Sequence, residues 1–115
     1  MTGGVIEHAT FRQLQASAGE EFVAELVATF LEEAPRMIEQ LMAAMAEGNA
    51  EKFRRTAHSL KSNGNTFGAS RLAELARELE LAGLDKVIAD DADGVNRLAQ
   101  EYGRVAAALQ EMVHA

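Results

Sequence analysis

Apolar residues recur at intervals of three and four along most of this 115-residue chain, and that spacing constrains its fold more than any other feature. It places apolar side chains on one face of an α-helix, whereas a half-buried strand would alternate apolar and polar residues. Alanine, leucine and glutamate are abundant, and the chain contains one proline, which also favours helix. The sequence therefore predicts an all-α fold.

The pattern divides into five helical segments, of which the first is short. We expect this first helix to cover residues 11–16, with Thr10 as the N-cap residue that accepts a hydrogen bond from a first-turn amide, and to end at Gly19. A long amphipathic helix follows over residues 20–46. Proline lacks an amide proton and crowds the carbonyl four residues back, so Pro35 predicts either a kink near Leu31 or a break into two helices. The unbroken apolar stripe favours the kink.

The remaining stripes predict three more long helices. Asn49 is the expected N-cap of the third helix, and Gly68 is expected to end it. The predicted buried face of this helix consists of Phe53, Ala57, Leu60, Gly64 and Phe67. Residues 72–82 form the fourth stripe, residues 85–94 an acidic turn, and residues 95–112 the last helix. Four long helices with short connections predict an up-down four-helix bundle with a short additional N-terminal helix, and the length predicts a single domain over residues 1–115.

Charge and composition limit the partners. Eighteen acidic and eleven basic side chains give a net charge of −7, which argues against nucleic acid and against an anionic membrane surface. The sequence has no cysteine, no apolar run long enough to span a membrane and no signal-peptide pattern. We expect a cytoplasmic monomer.

His58 lies on the face of the third helix opposite the buried one. Its helical neighbours are all polar or charged: Glu51, Arg54, Arg55, Lys61, Ser62 and Asn65. Residues 51–65 contain four basic side chains and one acidic, a local excess of three positive charges. Such a surface would attract an acidic partner and stabilise phosphoryl oxygens near the ring. Spacing alone is more typical of an ordinary solvated helix face.

A longer pattern surrounds this histidine. The run AHSLKS at residues 57–62 is followed by GA at 68–69, LAEL at 72–75 and LE at 79–80, and is preceded by FLEEAP at 30–35. Together these segments resemble the signature of the histidine-containing phosphotransfer (HPt) family. Many members have glycine directly after the motif lysine, where this chain has Ser62. Serine is also small, so close approach of a partner is expected to be preserved.

The resemblance implies a phosphorelay function. His58 would accept a phosphoryl group from a receiver-domain aspartate or a kinase and pass it to another receiver aspartate, with Lys61 stabilising the phosphoryl oxygens. The implied partners are response-regulator receiver domains, a hybrid sensor histidine kinase, or both. We expect Arg54, Arg55 and Ser62 to contact them, together with the apolar fringe of the histidine-bearing face and the first long helix beside it. The receiver would supply Mg²⁺, so we expect no intrinsic cofactor and no metal site in this chain. The sequence has no Gly-rich phosphate loop, and 115 residues leave no room for a separate ATP-binding domain, so we expect no kinase activity.

Two alternatives stay open. A non-catalytic bundle could bind a receiver as an adaptor or decoy, although the intact histidine and lysine count against it. The chain could also be either a free-standing module, which the start at Met1 and the compact length favour, or a segment of a larger hybrid kinase.

Overall fold

The computed structural model describes residues 4–114, and every regular element in this part of the chain is helical. The six helices are α1 (His8–Ala18), α2 (Glu20–Glu47), α3 (Ala50–Phe67), α4 (Ser70–Ala82), α5 (Leu84–Asp90) and α6 (Gly94–His114). The prediction of an all-α fold is confirmed.

The start of α1 differs from the prediction. Glu7 precedes the helix, and Thr10 lies inside it, where its hydroxyl donates to a Glu7 carboxylate oxygen at 3.4 Å. The prediction of Thr10 as the N-cap was therefore wrong. The helix starts earlier because the Glu7 amide donates to the Gly68 carbonyl at 2.8 Å, which attaches the N-terminal segment to the turn between α3 and α4.

Pro35 lies within α2 and does not divide it, so the alternative of two separate helices was wrong. The carbonyl that loses its amide partner to a proline belongs to the residue four positions earlier, here Leu31. The Tyr102 hydroxyl of α6 donates to this carbonyl at 3.3 Å. A neighbouring helix therefore replaces the hydrogen bond that the proline removes.

The helix α5 was missed by the sequence analysis, which predicted an acidic turn over these residues. Leu84 and Val87 are almost fully buried, whereas the acidic residues around them are exposed or only partly buried. Burial of two apolar side chains three residues apart stabilises one short helix here. The described chain therefore has six helices, and the prediction of five was wrong.

Both ends of α3 are as predicted. The Asn49 side chain accepts a hydrogen bond from the Lys52 amide at 3.1 Å, which caps the first turn. Gly68 ends the helix in the left-handed conformation, with φ +81°. A Cβ atom at this glycine would lie 3.0 Å from the Glu7 carbonyl oxygen, so both the conformation and the close packing require glycine.

The long helices surround one apolar core. Helix α3 packs against α2 and α4, while α6 packs against the same two helices. All six helices contribute buried apolar side chains to this core. The predicted buried residues of α3 are all buried: Phe53, Ala57, Leu60, Gly64 and Phe67. This orientation leaves the opposite face of α3, with His58, on the surface of the protein.

Candidate functional site

The site is built on His58, whose side chain is 54% exposed on the outer face of α3. Its Nδ1 atom lies 2.8 Å from Oε2 of Glu80 on α4. The two residues are 22 positions apart, and they meet because a two-residue turn sends α4 back along α3. The imidazole is therefore accessible to a partner but fixed at one nitrogen.

Glu80 also contacts the second predicted residue. Lys61 Nζ lies 3.0 Å from Glu80 Oε1, which is buried from water and accepts no well-aligned hydrogen bond, so the contact is an ion pair. Helical periodicity places Lys61 on the outer face of α3 with His58 and therefore predicts an exposed side chain, but the Lys61 side chain is only 26% exposed, so this prediction was wrong. Attraction by the carboxylate draws the ammonium group over the junction of α3 and α4. Glu80 therefore links His58 and Lys61.

The charge of Glu80 determines which nitrogen of the neutral His58 ring carries the proton. Lys61 holds the pKa of this carboxyl below its ordinary value of 4.5, and His58 adds to the effect, while burial opposes it. The carboxylate is thus ionised at neutral pH and can only accept a hydrogen bond. Nδ1 must carry the proton in this contact, and Nε2 of the neutral ring carries a free lone pair.

The four basic side chains of residues 51–65 are all paired with carboxylates at 3.9 Å or less. The pairs are Lys52 with Glu47, Arg54 with Glu51, Arg55 with Glu51, and Lys61 with Glu80. Four positive charges therefore face three negative ones, and the predicted excess of three falls to one. Neither Glu47 nor Glu80 belongs to the segment in which the charges were counted, and each reaches it through the fold.

Two grooves border the exposed face of α3. The groove between α2 and α3 has a volume of about 440 Å³ and is lined by Met37, Gln40, Lys52, Arg55, Thr56 and Ser59. The groove between α3 and α4 has a volume of about 200 Å³ and is lined by Lys61, Asn65, Ser70, Ala73, Glu74 and Arg77. A partner that reaches His58 would therefore find a depression on either side of α3.

The family model of the Hpt domain matches residues 25–113 of this chain, which include all of the residues that form the site. The chain belongs to the Hpt-domain family. Hpt domains are phosphocarriers of two-component signalling rather than kinases, and they exchange phosphoryl groups with receiver domains and kinases. Comparisons with curated proteins and with solved structures gave no match.

The other predicted residues lie on the surface of this Hpt domain. Arg54, Arg55 and Ser62 are exposed on the same side of α3 as His58, and both arginines contact Glu51. Their contacts with a partner stay predictions. The docking role of the apolar fringe and of the first long helix also stays a prediction; Met37 of α2 is the apolar side chain that lines the adjoining α2/α3 groove, together with Gln40.

Glu80 is the site residue that sequence reasoning missed. The LE pair at residues 79–80 was part of the family resemblance, but no role was given to the glutamate. Glu80 follows the buried Ala73 and Ala76 of α4 by seven and four positions, so it lies at the edge of the buried stripe. Periodicity could not show that it faces α3 rather than open solvent.

Within residues 4–114, no three His, Asp or Glu side chains come together closely enough to bind a metal ion. Across the same residues, no helix combines the length and the apolar character needed to cross a bilayer.

Proposed function

We propose that this Hpt domain is an intermediate of a phosphorelay in which His58 accepts a phosphoryl group from a receiver aspartate or a kinase and passes it to another receiver aspartate. The observation that carries the proposal is the contact of an exposed imidazole with Glu80 through Nδ1. That contact leaves Nε2 as the nucleophile and holds the ring in one orientation, as a bimolecular transfer requires.

In the transfer step, Nε2 of His58 attacks the phosphorus atom in line with the aspartyl oxygen. The nitrogen–phosphorus bond forms, the bond from phosphorus to the aspartyl oxygen breaks, and the partner's carboxylate leaves with the electron pair. The imidazole ring gains positive charge as it attacks, and the ionised Glu80 stabilises that charge at Nδ1. Mg²⁺ and the acyl phosphate both belong to the receiver.

Lys61 is proposed to stabilise the phosphoryl oxygens. Its ammonium is a mobile point charge one helical turn from His58, and in the unphosphorylated domain it pairs with Glu80. Movement of this flexible side chain from Glu80 toward the phosphoryl group would bring the positive charge to the transferred oxygens.

Docking of the receiver is proposed over the exposed face of α3 and the α2/α3 groove, with contacts from Arg54, Arg55 and Ser62. An apolar side chain, Met37, and a basic one, Arg55, line this groove together. An acidic receiver surface with an apolar centre would fit both. The proposal includes an up-and-down course of the four long helices, which the short connections at residues 48–49 and 68–69 favour. It also includes a monomeric state.

The test is a phosphotransfer assay with receiver domains of the source organism that have been phosphorylated with acetyl phosphate. The wild-type domain should gain an acid-labile, base-stable phosphoryl adduct, and His58→Gln should remove it. The matched control is His8→Gln, which changes another exposed histidine on α1 and should keep the adduct.

Two results would contradict the proposal. An adduct that persists in His58→Gln would place the phosphoryl group on another residue. Receiver binding by the wild-type domain without any adduct would instead support a non-catalytic adaptor.

A further inference from the structure

The α3/α4 groove begins at the proposed site of transfer and extends away from it. Lys61 belongs both to the site and to the wall of this groove. Arg77, on the opposite wall, lies three residues before Glu80 on α4, about one helical turn away. A receiver docked over His58 would therefore contact the surface next to this groove.

Arg77 differs from the basic residues around the histidine. Its side chain is exposed, and no carboxylate within residues 4–114 forms an ion pair with it. Each basic side chain of residues 51–65 is already paired within the domain. A partner's carboxylate would have to compete with Glu51 or Glu80 for those residues. At Arg77 it would have no existing ion pair to displace, although Glu74 lines the same groove.

The groove can accept a side chain. Its lining includes Ala73, which has a short side chain, and Asn65, whose amide can donate hydrogen bonds, whereas the Ser70 hydroxyl already donates to the Glu7 carboxylate. Glu74 also lines the groove, and its negative charge opposes an incoming carboxylate, so the contact depends on the guanidinium group of Arg77. The guanidinium group binds a carboxylate through two parallel hydrogen bonds, which depend on orientation.

We propose that Arg77 binds an aspartate or glutamate side chain of the docked receiver domain in the α3/α4 groove and thereby selects among receivers. The contact takes no part in the chemistry at His58. The inference rests on the proposed function for the identity of the partner, but its test measures binding and needs no phosphoryl transfer.

The test compares Arg77→Glu with Arg71→Glu. Arg71 is also exposed on α4 and forms no ion pair among the described residues, but it does not line the groove. Both variants replace arginine by glutamate, so they change the net charge equally. The receiver is chosen as the one that passes its phosphoryl group to the wild-type domain or, if none does so, the one that binds this domain most tightly. It is used in its unphosphorylated form. Binding is measured by titration calorimetry, and circular dichroism checks that both variants are folded.

We expect Arg77→Glu to raise Kd by about tenfold and Arg71→Glu to change it by less than about twofold, because a close charge pair contributes more than the overall field. A scan of the receiver that replaces each surface Asp and Glu by Lys should find one variant that restores binding to Arg77→Glu. The same receiver variant should bind the wild-type domain more weakly.

Several results would overturn the inference. Equal losses of receiver affinity in the two variants would show that only net charge matters. An unchanged Kd for Arg77→Glu would show that Arg77 does not contact the receiver. A lower maximal transfer rate with unchanged Kd would place Arg77 at the phosphoryl group instead. If the wild-type domain bound no receiver, both the role of Arg77 and the choice of a receiver as partner would be refuted. Binding without phosphoryl transfer would refute only the chemistry proposed for His58.

Discussion

Replacing Tyr102 by phenylalanine removes one hydroxyl group and tests how α2 continues through Pro35. The ring is kept, so its edge contact with Phe30, at a centroid distance of 5.7 Å, should persist. The loss is the 3.3 Å hydrogen bond to the Leu31 carbonyl. Removal of one partner of a hydrogen bond costs about 1–3 kcal/mol when the other is left buried. Because this bond is long and both residues are only partly buried, we expect a cost of about 1 kcal/mol.

The cost of Tyr102→Phe should depend on Pro35. Pro35→Ala restores an amide proton at position 35, and that amide can donate to the Leu31 carbonyl within the helix. In the Pro35→Ala background, Tyr102→Phe should therefore cost less than about 0.5 kcal/mol, since the carbonyl keeps a donor. The difference between the two costs is the coupling between the proline and the tyrosine.

The assay is urea unfolding of the wild type, both single variants and the double variant, followed by far-ultraviolet circular dichroism. Burial also raises the pKa of Tyr102 above 10.0, and an absorbance titration of this single tyrosine can confirm that its hydroxyl lies at the helix junction. Equal costs of Tyr102→Phe in the two backgrounds would refute the role given to the Leu31 carbonyl.

Three further predictions concern the site and the packing beneath it. The pKa of Glu80 is lowered in the folded state, so its charge stabilises the fold above the unfolded-state pKa near 4.5, and this contribution is lost as pH falls through the folded-state pKa. Glu80→Gln should thus lower stability in urea at neutral pH but not in strong acid, and an equal loss at both would contradict the assigned charge. Lys61→Ala should slow transfer by about 10- to 100-fold in rapid-quench assays at saturating receiver, while its loss of stability should not exceed that of Glu80→Gln, since both variants lose the same ion pair; a larger loss would show a further structural role. Gly64→Ala should destabilise the domain by about 1–2 kcal/mol, because its Cβ would lie 3.0 Å from the Ala73 amide nitrogen. Gly103 lies on α6 with open space around it, so Gly103→Ala should stabilise the domain by up to about 1 kcal/mol through the higher helix propensity of alanine. Similar effects of the two glycine substitutions in denaturant titrations would refute the close packing of α3 on α4.

The sequence by itself determined which face of α3 is buried and which carries the histidine. Phe53 and Leu60 had to point inward, and His58 had to lie on the other side, because residues three and four apart share one face of a helix. The ends of the helix followed from Asn49 and Gly68, whose capping chemistry is local. The family pattern then attached a chemical role to a histidine that periodicity alone would leave as a surface residue.

The tertiary structure decided what each of these residues touches. Glu80 reaches His58 from 22 positions away, Tyr102 reaches Leu31 from 71 positions away, and Arg77 shares a groove with Lys61. Helical periodicity fixes the direction of a side chain around its own helix axis. Which helices pack together, and in what register, depends on how all the buried side chains fit at once, and that fit determines the pairing of charges at the site.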